Sequence, residues 1–369
     1  MRIAFYPTLK APDHPVPSGD REMARLLVAA LQRAGHAVEM ASPLRSFSRQ
    51  PDPVRLAALG TAAASEIARL LAFWRGPGQD RRPGLWFTYH LYYKAPDLIG
   101  PAIARALAIP YVVAEASHAQ KRSRDAWAPW QAQVESALAA AAAVLCFTGV
   151  DRAGLQRLPG LKARLVDLPP FIDVASHHPH ASGDGRAPVR LVTLAMMRHG
   201  VKLQSYRFLA QSLHLLKDID WQLTIIGDGP ARADVAAAFA GFAPGRIHWT
   251  GLVAPENLQQ HLAQADLFLW PGIGEAYGLA YLEAQAAGLP VLALDCGGIA
   301  ATLRAGETGL LIDELTPEAY ARAARTLMLN HSARQAMGQA ARRFVHEERN
   351  LDAAAAILNA TLVLASNGS

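Results

Sequence analysis

Cysteine is almost absent from this sequence: 369 residues contain only Cys146 and Cys296, each in or just after an apolar segment. This scarcity argues against a disulfide framework or a cysteine metal site and favours buried free thiols. No uninterrupted apolar run reaches the roughly 18 residues that would suggest a membrane span, and the first residues are too short an apolar stretch for a signal peptide. We therefore expect a cytoplasmic protein, at most resting on the inner surface of a membrane.

Charge is also scarce, because Asp, Glu, Lys and Arg make up 18% of the residues and hydrophobic residues 51%. Such a composition excludes intrinsic disorder and argues against a coiled coil. The net charge of +5 fits an anionic substrate, nucleic acid or an anionic membrane surface without choosing among them. The length predicts about two globular domains.

Short apolar runs alternate with amphipathic segments of helical length along the whole chain, which predicts parallel sheets covered by helices. Six strands are predicted in the first half, at residues 2–6, 38–41, 85–89, 111–115, 144–148 and 165–168. Six more are predicted in the second half, at residues 190–195, 222–226, 247–251, 267–270, 291–294 and 309–312. Residues 177–188 are polar and lack apolar periodicity, so they are predicted to link two doubly wound α/β domains.

The most informative segment, residues 271–284, follows an apolar strand and opens a helix. A helix N-terminus presents unpaired amide groups and the positive end of the helix dipole, so this loop suits a phosphate or a sugar hydroxyl. Glu283 lies about one turn into the helix, where it can accept hydrogen bonds from a vicinal diol such as a ribose. Glu275, in the loop before it, can reach a different part of the same ligand.

The loops of the second half carry the motifs of a known family. These are Gly227-Asp228-Gly229-Pro230, residues 250–252 and 265–271, Glu275 and Glu283 with seven residues between them, and residues 286–291, 297–298 and 306–311. In this order the sequence resembles a retaining glycosyltransferase of the GT-B fold and the family 4 type, the glycosyl transferases group 1. The resemblance is strong over about residues 223–312 and weaker over the first half.

The resemblance implies two Rossmann-like α/β domains facing each other across a cleft. Residues 1–176 would form the acceptor-side domain, completed by a C-terminal helix at about 349–369. Residues 189–348 would form the domain that binds the nucleotide-sugar donor.

The resemblance also implies roles for individual residues. Glu283 would hold the ribose, Glu275 would contact the donor sugar, and Lys202 and Arg198 would neutralise the diphosphate. The family spacing between these two cations is one residue longer, so we expect Arg198 to be displaced. The other expected donor contacts are Gly19, Gly227, Asp228, Gly229, Pro230, Ala276, Tyr277, Gly278 and Leu279.

The first half would supply the acceptor side. The family commonly has two glycines after the first strand, and here the second is Asp20, which is expected to cap the following helix. His118 is the best match to a family histidine near the sugar or acceptor. The expected catalytic residues are therefore Glu275, His118, Lys202 and Arg198. Residues 121–130 combine three basic residues with two tryptophans, which suits an anionic acceptor such as a lipid-linked phosphate or a phosphatidylinositol-like headgroup, or a membrane surface. No nucleic-acid motif accompanies them, so no nucleic-acid partner is expected.

The expected reaction is transfer of a hexose from a UDP- or GDP-sugar to an acceptor hydroxyl with retention of anomeric configuration. The acceptor would be a sugar, a lipid-linked glycan or a small molecule, in glycan, lipid-linked glycan or exopolysaccharide synthesis. No cofactor and no metal are expected. The alternatives are another GT-B enzyme, such as a sugar-nucleotide epimerase, a hydrolase or a phosphorylase, or a non-catalytic GT-B partner subunit. An NAD-dependent oxidoreductase is rejected, because residues 7–12 lack a Gly-x-Gly-x-x-Gly loop.

Overall fold

The computed structural model describes residues 1–175 and 188–367, with the backbone alone at residues 255 and 256. Residues 177–187 of the predicted linker lie outside the described residues. The chain divides into two compact units. The first comprises Met1–Pro169 together with Leu351–Ser369, and the second comprises Pro170–Asn350.

The first unit is built on a parallel sheet of six strands in the order β2-β1-β3-β4-β5-β6. The strands are β1 (Arg2–Pro7), β2 (Ala37–Met40), β3 (Leu85–Leu91), β4 (Tyr111–Ala116), β5 (Ala143–Cys146) and β6 (Arg164–Asp167). The helices between them are α1 (Gly19–Arg33), α2 (Pro53–Arg75), α3 (Gly100–Leu107), α4 (Ala128–Ala140) and α5 (Gly149–Gln156). The central strands are almost fully buried because helices cover both faces of a parallel sheet, whereas the edge strands β2 and β6 are half-exposed.

The second unit repeats this plan with the strand order β12-β11-β10-β7-β8-β9, again all parallel. Its strands are β7 (Val189–Leu194), β8 (Trp221–Ile226), β9 (Ile247–Gly251), β10 (Leu267–Leu269), β11 (Val291–Leu294) and β12 (Gly309–Ile312). Its helices are α6 (Val201–His214), α7 (Arg232–Phe239), α8 (Pro255–Ala263), α9 (Leu279–Ala286), α10 (Pro317–Leu329) and α11 (His331–Glu348). Two doubly wound parallel sheets confirm the predicted fold class.

The last helix, α12 (Leu351–Asn367), belongs to the first unit and packs against α1. Its apolar stripe is buried there, with Leu358 and Leu362 fully shielded from solvent. Arg33 at the end of α1 donates two hydrogen bonds to Asp352, but this pair is exposed and contributes little to stability. Apolar burial is therefore what holds α12 on the first unit.

Helix α2 is long and apolar enough to cross a membrane, judged by length and composition alone. Such a helix is weak evidence for a membrane span, because core helices and signal sequences pass the same test. Here one side of α2 is buried within the first unit through Leu59, Ala63, Leu70 and Trp74. Much of its remaining surface is exposed, with small residues predominating.

We predict that Leu358→Ala lowers the free energy of unfolding of the first unit by about 2–4 kcal/mol, because it leaves a cavity between α12 and the rest of the unit. Urea denaturation measures the change. Leu364→Ala is the matched control, since Leu364 lies on the same helix but is 49% exposed. Equal effects of the two substitutions would contradict the packing described for α12.

Candidate functional site

The loop between β10 and α9 lies at the carboxyl end of the second sheet, where open α/β sheets bind ligands. The helix begins at Leu279 directly after Gly278, whose φ of 79° lies in the left-handed region that favours glycine. Glu275 closes a turn in this loop by donating its backbone N–H to the carbonyl of Gly272 at 3.0 Å. The first turn of α9 thus follows a tightly folded loop and offers the N–H groups that helix starts leave without intrahelical partners.

Three side chains from different parts of the second unit meet at this loop. Lys202, in the first turn of α6, forms an ion pair with Oε1 of Glu275. The indole Nε1 of Trp270, which follows β10, donates to the same oxygen at 2.9 Å. The Lys202 ammonium also lies 5.4 Å from the centroid of the Trp270 ring. The Lys202 and Glu275 side chains are 27% and 14% exposed, so the pair is partly desolvated and still reachable by a ligand.

Arg198 and Glu283, two further charged residues predicted to contact the donor, are both half-buried. The carbonyl of Arg198 accepts the backbone N–H of Leu203 at 3.1 Å, which fixes this loop residue against the start of α6. Glu283 lies one turn into α9, as predicted. Among the predicted backbone contacts before it, Tyr277 is buried and Ala276 is exposed. The ligand contacts of all four residues stay predictions.

The predicted donor loop 227–230 joins β8 to α7 and packs on the loop after β7. A Cβ on Gly227 would collide with the carbonyl of Ala195, and a Cβ on Gly229 with that of Met197. Both glycines also have positive φ, of 138° and 151°. Packing within the unit therefore requires them whether or not a ligand approaches. Asp228 Oδ1 accepts the backbone N–H of Gly229 at 2.7 Å, and Pro230 is exposed.

His118 in the first unit is held by a carboxylate. Its Nε2 lies 3.0 Å from Oε1 of Glu135 on α4, and its side chain is only 6% exposed. Burial alone would raise the pKa of Glu135, but hydrogen bonds from His118, Ser123 and Gln131 outweigh it and lower the pKa. His118 and Glu135 line a surface cavity of about 290 Å³. Contact of His118 with a sugar or acceptor stays a prediction.

The expectation that Asp20 caps the first helix is wrong. Ser18 is the N-cap of α1: its backbone is extended and its Oγ accepts the N–H of Arg21 at 3.2 Å. Asp20 lies in the first turn, where its charge favours the positive end of the helix dipole. Gly19 is the first residue of α1, and a Cβ there would meet no atom within 4 Å. The chain's own packing therefore gives no reason for glycine at this position.

The basic and aromatic residues of 121–130 do not form a mixed exposed surface. Trp127 and Trp130 are 6% and 1% exposed and pack in a cluster with Leu59 of α2. They are buried because their large apolar rings fill the space between α2 and α4. Lys121 and Arg124 are exposed. The tryptophans thus contribute to the core and not to an aromatic membrane anchor.

A cluster that the sequence analysis did not identify lies at the carboxyl end of the first sheet. His90 Nδ1 lies 3.5 Å from Asp20 Oδ1 and 3.8 Å from Glu115 Oε2. Burial raises the pKa of Glu115 to about 7; His90 opposes this shift, and the carboxylates of Asp20 and Asp151 add to it. His90 and Glu115 lie near the carboxyl ends of the adjacent strands β3 and β4. Their positions at the ends of two neighbouring predicted strands could have indicated this cluster from the sequence. In residues 1–175 and 188–367, no group of three or more His, Cys, Asp or Glu could hold a metal ion.

Residues 188–330 match the family model described as Glycosyl transferases group 1. These residues form a glycosyl transferases group 1 domain. This group 1 domain contains Lys202, Trp270, Glu275, Glu283 and the loop 227–230. His118 and the His90 cluster lie outside the matched residues.

Two curated proteins illustrate the relationship. Over 342 residues the chain is 25% identical to the D-inositol 3-phosphate glycosyltransferase of Rhodococcus opacus, covering 82% of this chain and 76% of that protein. Over 140 residues it is 34% identical to the sulfoquinovosyl transferase SQD2 of Arabidopsis thaliana, covering 36% of this chain and 27% of that protein. The second match therefore spans about a quarter of the relative's length.

Solved structures share the fold over almost the whole chain. Sucrose-phosphate synthase from Thermosynechococcus elongatus matches with a TM-score of 0.75 and 18% identity, covering 100% of both chains. The Anabaena protein HepE in complex with UDP matches with a TM-score of 0.72 and 15% identity, covering 98% of this chain and 100% of that one. These likenesses confirm the GT-B fold that the sequence resemblance implied.

We predict that the raised pKa of Glu115 makes the first unit less stable as pH rises. A carboxyl whose folded pKa of about 7 exceeds its ordinary value of 4.5 contributes stability that is complete below pH 4.5 and is lost through pH 7. The loss amounts to about 3 kcal/mol. Glu115→Gln, which cannot ionise, should lose less stability than the wild type between pH 5 and pH 8 in urea denaturation. Parallel pH profiles of the two proteins would contradict the assignment.

Proposed function

We propose that the chain transfers a sugar from a nucleoside-diphosphate sugar to an acceptor hydroxyl with retention of anomeric configuration. The observation that carries the proposal is the Lys202–Glu275 pair beside the N-terminus of α9, within a group 1 domain. A cation and a helix start together suit a diphosphate, and a carboxylate suits sugar hydroxyls. The first unit would provide the acceptor side.

In this proposal the donor lies along the β10–α9 loop. The diphosphate contacts Lys202, with Arg198 as a second cation and the N–H groups of residues 276–279 as further donors. Glu283 accepts hydrogen bonds from the ribose hydroxyls, and Glu275 accepts one from the sugar. The base is uracil or guanine: HepE is solved with UDP, and the names of other relatives specify GDP-mannose.

The chemistry requires charge stabilisation more than a protein nucleophile. The bond from the anomeric carbon to the diphosphate breaks while the bond to the acceptor oxygen forms on the same face. The acceptor proton passes to the leaving diphosphate. Negative charge grows on the diphosphate during this step, so Lys202 stabilises the transition state more than the ground state. The proposal uses no metal and no cofactor.

In this proposal the acceptor is a sugar, a lipid-linked glycan or a small molecule. An inositol phosphate is one candidate acceptor, because the Rhodococcus relative is named as a D-inositol 3-phosphate glycosyltransferase. We place the reaction in the cytoplasm, with exposed Lys121 and Arg124 available to contact an anionic membrane surface.

Nucleotide binding and turnover test the function. We expect UDP or GDP, and not ADP, to raise the melting temperature, and either UDP-glucose or GDP-mannose to be consumed when acceptors are supplied. Failure of both UDP and GDP to bind would contradict the proposal. Binding without turnover of any donor would favour a non-catalytic subunit, and conversion of the nucleotide sugar to its isomer would favour an epimerase.

We predict that Glu283→Ala weakens binding of the stabilising nucleoside diphosphate by about 1–3 kcal/mol, because it removes hydrogen bonds to a charged acceptor. Calorimetric titration measures the change in affinity. Glu318→Ala serves as the control, since it removes an exposed glutamate from the first turn of another helix of the same unit. Unchanged affinity in Glu283→Ala would rule out the ribose contact.

We further predict that Lys202→Ala lowers kcat more than it weakens donor binding, because the charge it meets is greatest in the transition state. Steady-state kinetics and donor titration separate the two effects. Lys217→Ala, which removes an exposed lysine of the same unit, controls for the loss of one positive charge. Equal losses in binding and turnover would make Lys202 a uniform binding residue.

A further inference from the structure

We propose that Trp270 is a positioning residue for Glu275: its indole N–H holds one carboxylate oxygen and thereby presents the other to the donor sugar. This inference rests on the proposed function and assigns a role to a residue that the donor contacts above do not include. Trp270 would act through Glu275 and would not touch the substrate.

Trp270 is itself rigidly held. Its side chain is buried, with the residue 1% exposed, and the Tyr206 ring packs edge-on against it at a centroid distance of 4.9 Å. The backbone is fixed at both polar groups: its N–H donates to the carbonyl of Leu292 at 3.2 Å, and its carbonyl accepts the hydroxyl of Tyr281 at 3.1 Å. An indole fixed in this way has a single direction in which it can donate its N–H, and that direction ends on Glu275.

The two donors to Glu275 both reach Oε1, one from Trp270 and one from Lys202. Within residues 1–175 and 188–367, no hydrogen bond to Oε2 of Glu275 occurs. A carboxylate oxygen has two acceptor sites, so a sugar hydroxyl can donate to Oε2 while Oε1 keeps its protein partners. The arrangement separates the oxygen that anchors the side chain from the one that is available to a ligand.

Lys202 alone is a poor anchor for Glu275. Its side chain is long and flexible, and in the proposed function its ammonium also contacts the diphosphate. Once the donor binds, Lys202 is shared between two anions, whereas the indole N–H of Trp270 has only Glu275 to bind. Trp270 therefore keeps the carboxylate in place through the reaction, and such prior positioning lowers the barrier to a step that depends on geometry.

The test compares Trp270→Phe with Tyr206→Phe in the full chain. The first variant keeps an aromatic ring and removes the donor to Glu275. The second removes a different buried hydrogen bond from the same packed layer, the 2.7 Å bond from the Tyr206 hydroxyl to the carbonyl of Ala195. The readouts are consumption of UDP-glucose or GDP-mannose, whichever the wild type turns over with a supplied acceptor, the affinity for the free nucleoside diphosphate, and the melting temperature.

We expect Trp270→Phe to lower kcat/KM by about tenfold or more, as for the loss of a hydrogen bond to a charged group, with the affinity for UDP or GDP unchanged. Tyr206→Phe should also lower the melting temperature, because a buried hydrogen bond is lost, and should leave kcat/KM near the wild-type value. In a Glu275→Ala background, Trp270→Phe should cause no further loss, because the residue acts only through that carboxylate.

The inference is overturned if Trp270→Phe lowers kcat/KM equally with and without Glu275. It is also overturned if Trp270→Phe weakens binding of the free nucleotide as much as it lowers turnover. Either result leaves the proposed function intact. A wild type that consumes neither nucleotide sugar would overturn the proposed function and the inference with it. If Trp270→Phe does not fold cooperatively, Trp270→Met takes its place in the same comparison, because methionine fills irregular core space and has no hydrogen-bond donor.

Discussion

A single carboxylate oxygen, Oε1 of Glu275, connects three separate segments of the second unit. Lys202 reaches it from the first turn of α6, Trp270 from the end of β10, and Glu275 itself lies in the loop that leads into α9. Two donors on one half-buried oxygen compensate its charge and fix the loop that precedes the helix start. The proposed donor site depends on this interaction, because the loop and the N-terminus of α9 form its other components.

Two glutamates of the first unit have histidine partners, whereas Glu275 of the second unit is paired with a lysine. Glu115 lies close to His90 and to the carboxylate of Asp20, and burial raises its pKa to about 7. His118 is instead paired with Glu135, whose hydrogen bonds lower its pKa. In the sheets of both units, charged groups gather beyond the strands' carboxyl ends, because there the chain leaves the core in loops that can carry polar side chains.

The sequence was sufficient to predict the strands and the fold class, because a strand buried on both faces appears as a short apolar run; residues 291–294, for example, form the fully buried β11 as predicted. Side-chain partners were harder to predict. The sequence could not distinguish Ser18 from Asp20 as the cap, since either residue type can accept the hydrogen bond. Trp130 proved to be buried because its environment comes from α2, a helix distant in sequence. The proximity of His90 to Glu115 likewise depends on the pairing of β3 with β4 in the sheet.

A crystal structure of the full chain with UDP or GDP would show whether the β10–α9 loop of the group 1 domain binds a nucleotide sugar. We expect the diphosphate within hydrogen-bonding distance of Lys202 and the N-terminus of α9, with the ribose hydroxyls on Glu283. We also expect Trp270 still to donate to Glu275. A nucleotide bound elsewhere in the chain, with this loop unoccupied, would show that the loop is not the donor site.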